Sequence, residues 1–136
     1  MIDDAALDAL MAAARRAREH AYAPYSRFAV GAAVASDAGI HTGANVENAS
    51  YPVGLCAERT AASAAVSAGA RIIEAVAVTA SAEGPTPPCG MCRQFLSEFG
   101  SGMLVVSQGS GGAARRWRLT DLLPDAFGPS NLEEAR

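Results

Sequence analysis

The chain has 136 residues, of which half are apolar and 18% are charged, and this predicts a single globular domain over residues 1–136. All eleven basic residues are arginine, so Schiff-base chemistry, a phosphate-loop lysine and a catalytic lysine base are excluded. The net charge of −3 argues against nucleic acid as a partner.

The number of cysteines and the length of the apolar segments indicate the cellular compartment in which the protein works. Three cysteines cannot all pair, and no signal-peptide pattern is seen, which indicates a reducing compartment with free thiols. No apolar run approaches the roughly 20 residues that a membrane span requires. We therefore expect a soluble cytoplasmic protein with no membrane partner.

The first half of the chain predicts a helix followed by a β-hairpin. The helix has Asp3 or Asp4 as its N-cap, apolar residues at helical spacing, and an end before Pro24. Residues 28–36 alternate larger and small apolar side chains, which predicts a strand buried on both faces. A turn then leads to its hairpin partner, residues 40–46.

The second half predicts alternating helices and strands. The elements are a helix from Cys56 to a stop at Gly69, a strand at 72–79, a helix at 89–99, a strand at 103–107 and a weaker strand at 115–119. This order predicts an α/β sandwich with helices packed on a mixed sheet. We expect the tail from Gly128 to be mobile.

Three cysteines and a glutamate lie where two of these helices begin. The motif C-A-E runs from Cys56 to Glu58, and the motif P-C-G-M-C contains Cys89 and Cys92. Helix N-termini favour thiolates, and the three thiols could converge at one edge of the sheet. Three thiolates around Zn²⁺ leave the fourth tetrahedral position for a water, with pKa lowered to about 7, which is typical of a catalytic site. Glu58 could touch that water without binding the metal.

Other interpretations of these residues remain open. For Cys56 alone, an apolar filler in an alanine-rich core is the more common case. A C-x-x-C at a helix start also fits a thiol-disulfide enzyme, which would bind no zinc and need no Glu58. A structural zinc module would require a fourth ligand, and neither His20 nor His41 has suitable spacing.

Five segments stand in order between Pro24 and Phe127: P-Y-S-R-F-A-V-G-A-A, G-A-N-V-E-N-A-S-Y, C-A-E-R, P-C-G-M-C-R-Q-F-L-S-E-F and L-T-D-L-L-P-D-A-F. In these segments the chain resembles the small homotetrameric, zinc-dependent cytidine deaminases. The resemblance implies a three-layer α/β/α sandwich with a mixed central sheet, one Zn²⁺ per chain, and active sites shared between subunits. It also implies hydrolytic deamination of cytidine and 2′-deoxycytidine to uridine and 2′-deoxyuridine in pyrimidine salvage.

The resemblance assigns roles to the metal-centre residues. Cys56, Cys89 and Cys92 would be the zinc ligands. Glu58 would be the general acid/base that moves protons from water to the ring and to the departing amine. Arg59 would hydrogen-bond a ligand sulfur and offset the negative charge of the three thiolates.

The resemblance also implies a set of substrate contacts. These are Phe28 against the pyrimidine, Asn45 and Glu47 on the ribose hydroxyls, the Ala57 backbone on the base, and Tyr51 and Phe127 supplied by a neighbouring subunit. From the residues alone, Asn45 and Glu47 are polar groups at a turn edge, and the two phenylalanines are core residues.

A related deaminase is the main alternative within this family. A deaminase of another aminopyrimidine nucleoside, such as blasticidin S, would share the C-A-E and P-C-x-x-C motifs, and N-V-E-N favours a nucleoside in either case. Editing of polynucleotides is disfavoured by the acidic charge and by cysteine as first ligand. The Pro87-Pro88 pair and the glycine-rich loop 108–114 depart from the family pattern, which leaves their local shape open.

Overall fold

The computed structural model describes residues 2–135, and five strands within them form one mixed sheet. The strands are β1 (Val30–Ser36), β2 (Gly39–Ala44), β3 (Ile73–Ala80), β4 (Leu104–Gln108) and β5 (Ala114–Arg118). Their order in the sheet is β2-β1-β3-β4-β5, with β3 and β4 parallel and the other neighbours antiparallel. The predicted mixed sheet is therefore confirmed.

Helices cover both faces of the sheet. They are α1 (Asp4–Arg18), α2 (Ala57–Ser67), α3 (Gly90–Ser97), α4 (Leu119–Leu122) and α5 (Pro129–Glu134). One buried cluster joins α1 to the sheet, and a second joins α2 and α3 to its other face. This arrangement is the three-layer α/β/α sandwich that the resemblance implied. Among residues 2–135, no helix combines the length and apolar character needed to cross a bilayer.

The central strand β3 shows why the core has two sides. Val76 and Val78 belong to the cluster under α2, and they are fully or almost fully buried. Ala75 and Ala77 belong to the cluster under α1. Because successive strand residues point to opposite faces, an apolar run in β3 covers both faces at once.

The predicted elements are present, with shifted ends that have local causes. Asp3 is the N-cap of α1, where its side chain accepts a hydrogen bond from the Ala6 amide. The strand expected from residue 28 begins at Val30, because the preceding residues turn and Arg27 has a φ of 58°. Its hairpin partner ends at Ala44, and the chain beyond it makes only isolated bridges.

Three short helical elements have no counterpart in the sequence prediction. They are a 3₁₀ turn at Tyr51–Val53, α4, and α5 in the C-terminal tail. Leu119, expected at the end of a strand, instead begins α4 and is buried. All residues of α5 are exposed, and its mobility stays a prediction.

The glycine-rich loop is the turn between β4 and β5, and it packs against residues 82–84. Ser110 and Gly111 donate backbone hydrogen bonds to the carbonyls of Ala82 and Glu83. A methyl group on Gly109 would lie 2.1 Å from the Glu83 carbonyl oxygen. Glycine is therefore required at this close approach of two backbone segments.

Candidate active site

The chain topology brings the three cysteines to one edge of the sheet. α3 follows β3, so α3 begins at the carboxyl end of that strand. α2 runs antiparallel to β3 and ends near its start, so α2 begins at the same edge. Cys56 and Cys89 are the N-cap residues of α2 and α3, and Cys92 is in the first turn of α3.

The distances between the three thiols fit a single metal ion. Their Sγ atoms all lie within 4.8 Å of one another. The Sγ of Cys89 is 3.7 Å from that of Cys56 and 3.6 Å from that of Cys92. A tetrahedral zinc with bonds of about 2.3 Å to sulfur separates its ligand sulfurs by about 3.8 Å. The three cysteines are therefore positioned to bind a zinc ion, and all of them are free thiols.

Without a metal ion, the pKa values of Cys56 and Cys92 are shifted in opposite directions. A hydrogen bond from the Cys92 thiol lowers the pKa of Cys56 to about 5, with Cys89 and the Arg59 guanidinium contributing to the shift. The same hydrogen bond, together with burial, raises the pKa of Cys92. Since thiolates are the metal-binding form, binding of a zinc ion must release the remaining thiol protons.

Glu58 is a buried carboxyl group beside the thiols. It is the second residue of α2, and its side chain is only 5% exposed. Burial raises the pKa of Glu58 to about 7, and the negative charge of Cys56 adds to the increase. A carboxyl group with this pKa can both accept and release a proton at neutral pH, as a general acid/base must.

Arg59 lies close to Cys56, as the spacing on α2 predicted. Its positive charge and a side-chain hydrogen bond both help to lower the Cys56 pKa. Its two terminal nitrogens contact the Met91 sulfur and the Gly54 carbonyl oxygen. Its buried Nε has no hydrogen-bond partner within residues 2–135. The guanidinium is thus held over the cysteine that begins α2.

A cavity of about 350 Å³ opens near the start of α2. Its lining residues are Tyr25, Ser26, Glu47, Asn48, Tyr51 and Gly54. Gly54 is two residues before Cys56 in the chain, and the cysteines and Glu58 are not among the residues that line the cavity. Two of the predicted substrate contacts, Glu47 and Tyr51, line this cavity within one chain. The Tyr51 ring packs at 5.8 Å from the Tyr25 ring.

Asn45 and Glu47, which follow β2, form hydrogen bonds with the segment before β1. The Asn45 amide is 9% exposed, donates to the Phe28 carbonyl and accepts from the Val30 amide, at 2.7 and 2.8 Å. The Glu47 carboxylate accepts hydrogen bonds from Ser26 and from the Tyr25 amide. The Ser26 hydrogen bonds are the main reason that the pKa of Glu47 is lowered.

Comparison with known proteins identifies the family. Residues 5–108 match the model of the family described as the cytidine and deoxycytidylate deaminase zinc-binding region. The chain belongs to this family. The cytidine deaminase of Sporosarcina psychrophila is 46% identical over 131 residues, which are 95% of this chain and 96% of that protein.

Two further cytidine deaminases agree in sequence and in fold. The enzyme of Mycobacterium tuberculosis (strain CDC 1551 / Oshkosh) is 45% identical over 124 residues, which are 90% of each chain. The crystal structure of the cytidine deaminase from Burkholderia pseudomallei has a TM-score of 0.84 at 49% identity, covering 88% of this chain and 98% of that one. These cytidine deaminase matches extend well beyond the cysteine motifs.

The remaining predicted contacts of this cytidine deaminase family member lie in different places. Phe28 is partly exposed beside the Asn45 amide. Ala57 is fully buried as the first residue of α2. Phe127 is 61% exposed and lines a separate cavity of about 210 Å³ near Gln94, whose side chain donates to the Phe127 carbonyl. A single chain therefore brings Phe127 to another cavity than the one that Glu47 lines.

Sequence reasoning gave no role to three residues that contact the site of this deaminase. They are Tyr25 and Ser26 on the Glu47 carboxylate, and Met91 on Arg59. All three stand inside the segments that carry the resemblance, P-Y-S-R-F and P-C-G-M-C. The motifs could have drawn attention to them, but only the fold shows which side chains they touch.

Proposed function

We infer that the chain catalyses the zinc-dependent hydrolytic deamination of cytidine and 2′-deoxycytidine to uridine and 2′-deoxyuridine, with release of ammonia, in pyrimidine salvage. One observation carries this inference: three thiols spaced for zinc lie beside a buried carboxyl group whose pKa is about 7. Curated relatives named cytidine deaminase, which align with nearly the whole chain, support the substrate class.

The metal centre is formed by Cys56, Cys89 and Cys92. Bound there, zinc would supply Lewis-acid activation of a water, which would make that water a nucleophile toward C4 of the cytosine ring at neutral pH. Glu58 accepts the proton from this water and delivers it to ring N3. Glu58 then takes the proton of the new C4 hydroxyl and delivers it to the amino group, so that the C4–N bond breaks, ammonia leaves and C4 becomes the carbonyl of the uracil ring. Glu58 is only 5% exposed, which limits the access of bulk water to the carboxyl group that carries both protons.

The substrate nucleoside is held by residues at the exit of the hairpin. Glu47 is ionised and lines the cavity, so its carboxylate can accept a hydrogen bond from a sugar hydroxyl. Asn45, two residues before it in the chain, is proposed to bind the sugar as well. Phe28 packs against the pyrimidine, and the backbone at Ala57 contacts the base. The cavity volume of about 350 Å³ lies in the range of small-molecule sites, which supports a free nucleoside as substrate.

A homotetramer with shared active sites completes the pocket. Tyr51 is 74% exposed, and the nearby Val53 and Leu55 are also exposed. Contiguous apolar groups at a surface mark interaction sites, which supports burial of this region against a second copy. The exposed Phe127 then lies in the pocket of a neighbour. We place the enzyme in the cytoplasm, because a reducing compartment keeps cysteines such as these three as free thiols.

The activity is tested by zinc content and by ultraviolet absorbance as cytidine becomes uridine. We expect one zinc per chain, conversion of cytidine by the wild type, and a loss of about 10²- to 10⁴-fold in Glu58→Gln with zinc retained. Glu74→Gln, at an exposed position of β3, is the matched control and should retain activity. A zinc-loaded wild type that leaves cytidine unchanged, or that prefers blasticidin S, would overturn the proposal.

The shared site is tested by mixing two variants. Glu58→Gln lacks the general acid/base of its own site. Phe127→Ala lacks the aromatic residue that each chain supplies to the site of its neighbour. In a mixed tetramer, a Phe127→Ala chain keeps Glu58 and receives Phe127 from its Glu58→Gln neighbour, so activity should recover after dissociation and reassembly. A light-scattering mass of a single chain, or the absence of any recovery, would contradict shared sites.

A further inference from the structure

Ser26 joins two of the proposed substrate contacts through a single hydroxyl group. Its Oγ donates a hydrogen bond to Oε2 of Glu47. The same oxygen accepts a hydrogen bond from the Phe28 backbone amide at 3.0 Å. The residue proposed to bind the sugar and the residue proposed to pack on the base are therefore connected by Ser26.

The Glu47 carboxylate has most of its acceptor positions filled by this turn. Oε1 accepts from the backbone amides of Tyr25 and Ser26, at 2.9 and 3.1 Å. Oε2 accepts only the Ser26 hydroxyl among the hydrogen bonds within residues 2–135. Since a carboxylate has about four lone-pair positions, one position on Oε2 is left for a group in the cavity.

The backbone between these hydrogen bonds has an unusual conformation. Arg27 has a φ of 58°, in the left-handed region that residues other than glycine seldom adopt. Such a conformation persists where neighbouring interactions hold it in place. The Arg27 amide donates a hydrogen bond to the Ala23 carbonyl. Ser26 adds two more interactions, because its hydroxyl accepts from the Phe28 amide and donates to the Glu47 carboxylate, which itself accepts from the Ser26 amide.

We propose that Ser26 is a positioning residue that orients the Glu47 carboxylate and the Phe28 backbone together, leaving one carboxylate position for a sugar hydroxyl. The proposal rests on the proposed function, and it adds a residue with no assigned role in it. Ser26 acts on substrate through Glu47 and Phe28. Its loss should therefore weaken nucleoside binding and leave the proton transfers at Glu58 unchanged.

The test compares two substrates in the Ser26→Ala variant. We expect KM for cytidine to rise about tenfold while kcat changes by less than about threefold, because a charge-assisted hydrogen bond to a binding group is lost. For 2′,3′-dideoxycytidine, which has neither ring hydroxyl, KM should change much less. The inhibition constant of uridine should rise in parallel with KM for cytidine, which gives a readout independent of turnover.

Two controls separate this role from a general effect on the fold. Ser81→Ala removes a hydroxyl that bonds the backbone of Ala29, next to Phe28, without touching Glu47, and it should leave KM unchanged. Ser26→Thr and Ser26→Val have equal shapes but differ in the hydroxyl, so only the threonine variant should approach wild-type KM. This pair tests the hydroxyl even if Ser26→Ala fails to fold.

A double-mutant cycle with Glu47→Gln measures the coupling directly. If Ser26 acts through the carboxylate, adding Ser26→Ala to Glu47→Gln should raise KM for cytidine much less than it does in the wild type. Suppose that the wild type is active. This inference alone is then overturned if KM for cytidine is unchanged in Ser26→Ala, or if KM rises equally for cytidine and for 2′,3′-dideoxycytidine. An inactive, zinc-loaded wild type instead overturns the proposed function.

Discussion

Gly31 of β1 lies directly against Ala14 of α1, so closely that a methyl group on Gly31 would be 2.0 Å from the Ala14 carbonyl oxygen. The same methyl group would be 2.5 Å from the backbone nitrogen of Arg18. The strand residues in the buried cluster between α1 and the sheet are mostly alanines: Ala33, Ala75 and Ala77. Small residues on this face therefore let α1 approach the sheet closely.

Gly31→Ala should destabilise the protein strongly. The atoms that the new methyl group meets belong to the helix backbone, so α1 must move away from the sheet, and we expect a loss of at least about 3 kcal/mol. Urea unfolding followed by circular dichroism measures it. Gly102→Ala is the control, because its added methyl group meets no atom within 4 Å. Equal stability of the two variants would contradict the close packing of α1.

Asp37 should make stability depend on pH in the acid range. Its Oδ1 accepts hydrogen bonds from the backbone amides of Arg71 and Ile72, which lower its pKa below the ordinary 3.8. With the folded pKa depressed, the stabilisation is present above the unfolded pKa and is lost as pH falls through the folded value. Asp37→Asn should therefore lower Tm at pH 7.

The matching control for this position is Asp8→Asn, at an exposed position of α1. The Tm difference between wild type and Asp37→Asn should shrink as the pH falls below the ordinary carboxyl pKa of 3.8 and through the lowered pKa of folded Asp37. The Asp8→Asn variant should show no such trend. A Tm difference for Asp37→Asn that stays constant from pH 7 to acid would mean that the carboxylate does not stabilise the hairpin in this way.

Most of the fold can be read from the sequence, because local patterns determine it. The apolar pattern of residues 28–36 predicted a strand buried on both faces, as most of β1 is, and Gly69 predicted the end of α2, where its φ is 109°. The strand starting points were less accurate. Phe28 continues the strand pattern in sequence, but its backbone forms hydrogen bonds with the side chains of Ser26 and Asn45 and lies outside the strand.

The cysteine cluster was predictable for a similar reason, and the cavity that Glu47 lines was not. Cys56 and Cys89 are N-cap residues, so helix starts that can be read from the sequence already place them at one edge. Ser26 and Glu47 are 21 residues apart, and their contact depends on how the hairpin exit meets the turn before β1. A contact between two loops leaves no periodic pattern in the sequence, so only the structure could show that Ser26 and Glu47 are in contact.

Removal of zinc should lower stability as well as activity. Because the three thiols come from the starts of two helices, a bound ion ties α2 to α3, and a metal that binds only the folded state stabilises it. We expect a chelator to lower Tm and abolish activity, and added zinc to restore both. Cys92→Ser should have a low Tm that neither chelator nor zinc changes. A chelated wild type with unchanged Tm would contradict a link between the two helices.

Arg59→Ala should keep the fold and the zinc but lower the activity. Three thiolates with Zn²⁺ would carry a net charge of −1, which we expect the Arg59 guanidinium beside Cys56 to offset. We expect kcat/KM for cytidine to fall about 10- to 100-fold at full zinc occupancy, with Arg59→Lys recovering part of the loss. Arg71→Ala is the control, because its guanidinium also bonds backbone carbonyls but lies at the other end of α2. An unchanged rate in zinc-loaded Arg59→Ala would show that the charge of the thiolate cluster needs no guanidinium to balance it.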